Sequence, residues 1–334
     1  MACPPPDRDG PPALLPSPRP TGRASEKSAP DRVLTGHARE ALEHARLVRD
    51  TFPPEGRVLV FAYDGSLNGD WVAHYAVRFA ANTSARKLRL VHITDDASEA
   101  SLGERIARIA GECKVLGVVL ETELVPRPGV DVAERLLEIV PERSTLIGGI
   151  RARPRHRAFL AGTVSARLLE AGRFSVIAIR VVHPGVLGQP GSVLLPVAGR
   201  PHQSALALPL LRLLGEDLQH LHLLFVREVS GFRLRLMSHD GLEKLLGEGR
   251  AVVGPIEDEL RAGLAPLRFE LDSSVAVSDS ALTEILVCAG KLRSRLIGLG
   301  ASRRTLLERV VFGAPIERLL RDAPSDVAVY RTVE

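Results

Sequence analysis

Short apolar runs alternate with amphipathic stretches through most of the chain. Val58-Leu59-Val60-Phe61 is such a run, and its length predicts a buried strand. Val72, Ala73, Ala76, Val77 and Ala80 then fall at helical spacing on one face. The alternation continues with strands predicted over 88–93, 118–124, 144–147 and 175–179, and helices over 98–113, 130–139 and 163–170. Pro184, Gly185, Gly188, Pro190 and Gly191 crowd the next few positions and read as a linker. The order then starts again. Strands are predicted over 193–197, 221–226, 269–277, 294–299 and 327–330, and helices over 204–214, 281–288 and 316–320. A longer helical region, 234–264, is expected to break near Pro255. Strands alternating with helices at this spacing predict an α/β fold of two tandem doubly wound, mainly parallel five-stranded sheets with helices on both faces.

The two series repeat at a fixed distance. Gly149 and Gly300 stand 151 residues apart, as do Gly162 and Gly313. Each closing glycine precedes a short helix, a break and a strand ending in arginine, Arg180 or Arg331. A repeat of domain length reads as a duplicated α/β unit. The predicted division is a proline-rich tail (1–33), an N-terminal helical segment (34–54), a first domain (55–182), a linker (183–191) and a second domain (192–334). The tail has few large apolar residues to offset its ordering entropy and reads as disordered, with a polyproline-II ligand as the functional alternative.

The densest chemistry lies between Ser144 and Leu169. A strand ends in Gly148-Gly149. A loop follows with Arg151, Arg153, Arg155, His156 and Arg157, and a helical pattern begins at Gly162-Thr163-Val164. Strand, glycine-opened loop and hydroxyl-bearing helix start outline an anion site. Arginines add charge and paired donors. The bland alternative is a turn followed by a solvated loop.

Composition narrows the classes. The 334 residues are 45% hydrophobic and 25% charged, ordinary for a globular protein. A net charge of +4 is small for this length, and 4% aromatic residues leave few stacking platforms, so nucleic acid is not expected as a partner. Cys3, Cys113 and Cys288 are far apart and suggest neither disulfides nor a zinc site, which fits a cytoplasmic location. No apolar run approaches the roughly 18 residues that span a bilayer, and the first residues lack the apolar core of a secretory signal. His92, His156 and His222 have no neighbouring ligands, and Cys113 and Cys288 sit in helical apolar contexts that favour inert thiols.

Three pieces of sequence, in order, resemble the universal stress protein family. Gly149, Ala152, Gly162 and Thr163 follow its pattern of glycine, two residues, glycine, nine residues, glycine and a hydroxyl residue. Asp64-Gly65-Ser66 is similar to its strand-one tip, and Val91-His92-Ile93 to the end of its second strand. The resemblance covers about residues 55–334 as two copies. It implies an adenine nucleotide alpha hydrolase-like fold and a regulatory, non-enzymatic role in stress response, with ATP, accompanied by Mg²⁺ where the site admits it, as ligand. Asp64 would meet adenine or ribose, and the Ile93 backbone would face adenine. Gly149, Arg151 and Ala152 would border ribose and phosphates, and Gly162, Thr163 and Val164 would hold phosphates. Dimers in the family pair through the last strand of each domain. An intramolecular pseudo-dimer through 176–179 and 327–330 is therefore expected, beside an unidentified protein partner and room for a further homodimer.

The copies depart from the pattern unequally. Ala152 replaces one glycine in the first. In the second, Ala198 stands for the aspartate, Arg303 for the middle glycine and Ala314 for the hydroxyl, and Pro315 removes a donor. The first copy is expected to bind ATP and the second to be structural. Gly298-Leu299-Gly300 begins a dinucleotide fingerprint, but Arg303 occupies the third small position and the motif follows the fourth strand of its unit, not the first. The alternative reading is a nucleotide-free scaffold with constitutive partner binding. Slow ATP hydrolysis ranks last, since no water-activating base is evident.

Overall fold

The computed structural model describes residues 58–94, 99–126, 129, 131–151, 160, 163–199, 203–301 and 315–333. The tail and the helical segment expected over 34–54 lie outside the described residues, as do 152–159, 161–162 and 302–314 in the two glycine-bearing loops.

The first half runs β1 (Val58–Ala62), α1 (Leu67–Ala81), β2 (Lys87–Thr94), α2 (Glu99–Val115), β3 (Val119–Pro126), α3 (Val132–Ile139), β4 (Ser144–Gly149), α4 (Val164–Ala171) and β5 (Ser175–Arg180). The second runs β6 (Gly191–Val197), α5 (Gln203–Leu214), β7 (Leu218–Glu228), α6 (Gly231–Arg235), α7 (His239–Leu264), β8 (Glu270–Ser278), α8 (Ala281–Lys291), β9 (Leu296–Gly300), α9 (Pro315–Asp322) and β10 (Asp326–Arg331). The strands lie in the order β3-β2-β1-β4-β5-β10-β9-β6-β7-β8. Each half thus has the same doubly wound order.

The halves do not form two separate sheets. β5 and β10 pair antiparallel, with Ala178 opposite Val329 and Ile177 opposite Tyr330. Every other pairing is parallel. Val176, Ile177, Ala178 and Ile179 are all buried, as are Val327, Ala328, Val329 and Tyr330. Unpaired, either strand would expose a row of amides and carbonyls among apolar side chains, and each covers the other.

Alternation along the strands builds two cores. Leu59 and Phe61 enter one and Val60 the other. The first core takes Val72 and Ala76 of α1, Leu102 of α2, Leu210 of α5 and Leu260 of α7. The second takes Leu136 of α3, Leu169 of α4, Ala289 of α8 and Leu320 of α9. Helices therefore cover both faces, and the loops at the strand ends are left to carry chemistry.

Pro255 does not break the long helix. α7 passes through it without interruption, and the break falls instead after α6, where Ser238 caps a new start by accepting from the Gly241 amide. Proline inside a helix costs about 3 kcal/mol locally. Leu245, Gly249, Val253, Ile256, Leu260 and Leu264 are buried along one stripe of α7, and that burial outweighs the local cost.

One buried carboxylate ties the halves together. Asp326 is fully buried. Its Oδ2 accepts from Tyr75 Oη of α1 at 2.7 Å. Its Oδ1 accepts from the amides of Val182 and His183 at 2.6 and 2.8 Å. Asn82 Nδ2 also donates to the carbonyls of Leu213 and Leu214 at 3.0 and 2.7 Å, joining the end of α1 to that of α5.

Candidate functional site

At the exit of β1 the backbone is held from three sides. The Tyr63 amide donates to the Val91 carbonyl at 2.9 Å. Its hydroxyl donates to Asp70 Oδ1 at 2.5 Å, and Asp70 also pairs with Arg105. Burial, then the Asp70 carboxylate, pushes the Tyr63 phenol far above its ordinary value, so it stays a donor. His92 Nδ1 lies 2.8 Å from the Tyr63 carbonyl oxygen, which gives that histidine a structural place. Asp64, next along the chain, is exposed. Its Oδ1 accepts from the Ser66 amide at 3.0 Å and the Ser66 hydroxyl at 2.6 Å, an Asx turn that leads into α1. Ser66 caps α1 by accepting from the Gly69 amide at 3.1 Å.

The other Asp64 oxygen faces the exit of β4. Arg151 Nη1 lies 3.6 Å from Asp64 Oδ2, with both groups largely in solvent. Such a pair contributes little to stability, and it leaves both groups available to a ligand. Gly149 sits where a Cβ would fall 2.6 Å from Asn68 Nδ2. That Asn68 nitrogen is buried with no hydrogen-bond partner among the described residues. The Ser165 hydroxyl donates to the Gly149 carbonyl at 3.0 Å, which brings the start of α4 against the exit of β4.

Thr163 is the N-cap of α4. Its Oγ1 accepts from the Ala166 amide at 3.2 Å and donates to the Leu160 carbonyl at 2.7 Å. Its own amide also donates to Leu160, at 2.9 Å. The positive end of the helix is its first turn, where the amides of Val164 and Ser165 have no acceptor among the described residues. Ile93 lies on β2, two residues beyond Val91, the register partner of Ala62. It is level with Asp64 and half-buried.

The structure thus gathers Asp64, Gly149, Arg151, Thr163 and Val164 around the crevice between β1 and β4, with Ile93 one strand away. This is the point where strand order reverses, and open α/β sheets receive ligands there. Ala152 and Gly162 lie outside the described residues. Asn68 and Ser165 are additions. Ser165 follows the predicted helix start by two residues and was within reach of the sequence. Asn68 was not, because only packing of α1 against β4 brings it to Gly149.

The second half reproduces the frame. Ile150 N donates to the Ile179 carbonyl at 2.7 Å, and 151 residues later Ala301 N donates to the Tyr330 carbonyl at 2.7 Å. The chemistry differs, with Ala198 following β6 where Asp64 follows β1. Elsewhere Cys113 is buried and free, and burial raises its thiol to about 11. Cys288 is half-buried and free, and burial raises its thiol too. Among the described residues no three His, Cys, Asp or Glu side chains are grouped to hold a metal ion. No described helix is long and apolar enough to cross a membrane.

Neither a family model nor a curated protein matches the chain. Solved structures do. A universal stress protein from Archaeoglobus fulgidus DSM 4304 aligns over 83% of this chain and 97% of its own, with a TM-score of 0.52 and 14% identity. A Pseudomonas aeruginosa UCBPP-PA14 protein, also described as a universal stress protein, aligns over 83% and 94%, with a TM-score of 0.52 and 17% identity. The fold is that of universal stress proteins. Identity at this level carries the architecture, and the universal-stress-protein fold itself leaves the ligand to be argued from side chains.

Proposed function

We propose that the chain is a stress-response regulatory protein that binds ATP in the crevice of its first half. The observation that carries this reading is the contact chain Asp64–Arg151 and Gly149–Ser165. It puts a carboxylate acceptor, a guanidinium and a helix start at one end of the sheet. The residues fit the ligand. Asp64 Oδ2 would accept from a ribose hydroxyl, and Ile93 would lie along the adenine. Gly149 lets Asn68 pack directly on the exit of β4, and its Nδ2, without a partner among the described residues, would donate to a sugar or phosphate oxygen once a small shift of the side chain exposes it. Val164, Ser165 and Arg151 would hold phosphates. Thr163 would contribute mainly by shaping the helix start, since its amide and hydroxyl already bind Leu160 and Ala166. In the family pattern two glycines complete the cradle, and here Ala152 and Gly162 stand at their positions. Asp64 offers Mg²⁺ a single carboxylate, so the nucleotide's phosphates would be its main ligands.

The reading is of a binder. Among the described residues the gathered groups are a carboxylate, amide donors, the Arg151 cation and hydroxyls, and the Ser66, Thr163 and Ser165 hydroxyls are taken up by turn, cap and backbone hydrogen bonds. Occupancy of the crevice would regulate contact with a protein partner from the cytoplasm. The test is to denature purified protein, look for released adenine nucleotide, and titrate ATP by calorimetry into the wild type and Asp64→Ala. Saturable binding weakened by the substitution supports the site. Tight binding indifferent to Asp64 would place the nucleotide elsewhere. One observation favours the rival reading of a nucleotide-free scaffold: Asp64 and Arg151 already face each other across the crevice. Complete absence of ATP binding would select it.

A further inference from the structure

A second cleft opens in the other half of the molecule. At the carboxyl ends of β6, β7, β9 and β10 lies a cavity of about 980 Å³. It occupies the place in the second half that the Asp64 crevice occupies in the first. Its volume is at the upper end of the roughly 300–1,000 Å³ usual for ligand sites. The residue there that would recognise a ribose is Ala198, so a nucleotide is poorly matched.

Three observations say what would match. The floor is apolar, since Val197, Leu224 and Phe225 are each buried from bulk solvent and yet line the cavity. A single hydroxyl stands in that lining from β10. Tyr330 is 3% exposed, and its side chain packs over Gly300, where a Cβ would be 3.4 Å from the Tyr330 oxygen. That hydroxyl has no hydrogen-bond partner among the described residues, and burial alone accounts for its raised pKa, which keeps it a donor. The position 151 residues earlier is Ile179, so this donor is particular to the second half. The rim is cationic. Arg227 and Arg233 line the cavity and are exposed, and neither has a carboxylate within ion-pairing distance among the described residues. The neighbouring Glu228 accepts from the Ala281 amide at 2.8 Å.

We propose that this cleft binds a small amphipathic carboxylic acid with a second oxygen at its far end. The apolar body lies on Val197, Leu224 and Phe225. The distal oxygen accepts from Tyr330, and the carboxylate pairs with Arg227 and Arg233 at the rim. The second half is then a sensor in its own right, and this site does not depend on ATP binding in the first.

The test titrates the full chain by calorimetry with 10-hydroxydecanoate, decanoate and ATP. Tyr330→Phe keeps the ring and Arg227→Gln changes an exposed side chain, so both variants should fold. The expected result is saturable binding of 10-hydroxydecanoate, weaker binding of decanoate, and no change for either acid in Asp64→Ala. Tyr330→Phe should weaken 10-hydroxydecanoate about tenfold and leave decanoate unchanged, while Arg227→Gln should weaken both about tenfold. No acid binding up to millimolar concentration overturns the proposal. So does acid binding indifferent to both substitutions, or ATP binding that depends on Arg227.

Discussion

The two clefts share a frame and differ in what lines it. Asp64, Gly149 and Ile179 in the first half correspond to Ala198, Gly300 and Tyr330 in the second. Where the first half presents a carboxylate, an amide donor without a partner among the described residues and a helix start, the second presents an apolar hollow of about 980 Å³ with the Tyr330 hydroxyl in its lining and a basic rim. Strand order and the backbone bond after the fourth strand of each unit are the same in both. Core positions are constrained by packing on both sides, while the strand ends face solvent and can change chemistry without disturbing the sheet.

Substitutions at matched positions break or sharpen that contrast. The largest effect is expected at Asp326, whose counterpart 151 residues earlier is Ser175. Asp326→Ala strands Tyr75 and two amides and should cost roughly 3–5 kcal/mol in denaturant unfolding. Ser175→Ala loses a weaker tie to Val333, made at 3.1 Å by the Val333 amide, and should cost about 1 kcal/mol. Equal costs would show that the halves are not joined through Asp326.

Next comes the ligand contrast. Asp64→Ala should weaken ATP by about 1.5–3 kcal/mol, about ten- to a hundredfold, while Ala198→Asp should not create an ATP site in the second half. A gain of a second ATP equivalent in calorimetry would mean that the two clefts differ by one residue only. Thr163→Ala removes the α4 cap and should lower the unfolding free energy by about 1 kcal/mol, with Thr163→Ser restoring it. If Thr163→Ser restores stability but not ATP affinity, the threonine methyl touches the ligand.

The smallest effect is a pH dependence on β7. Burial holds His222 below the ordinary histidine value of 6.5, partly opposed by Asp272, and its Nε2 lies 2.8 Å from Ser274 Oγ. The unfolded chain therefore takes up this proton first as pH falls. The stability contributed by neutral His222 is complete above about 6.5 and is lost below it, toward the lowered folded value. His222→Gln should flatten that acid-side slope in urea melts between pH 7.5 and 5.5. An unchanged slope would assign it to other groups.

Apolar periodicity alone determined which segments are strands and helices, because each must turn one face or both to a core, and that demand repeats at two or about 3.6 residues. The fixed spacing of paired glycines likewise made the twofold plan legible before any coordinates, while the β5–β10 pairing was expected only from the family resemblance. Pro255 was misread because local cost was judged without the burial that α7 gains against the sheet. The site shows the same limit. Asp64, Gly149 and Thr163 were visible as types at a spacing, but the capture of Thr163 by Leu160, and the Asn68 amide and Tyr330 hydroxyl left without partners among the described residues, were not. Each depends on residues distant in sequence becoming neighbours, and no linear pattern records which donors that packing leaves unsatisfied.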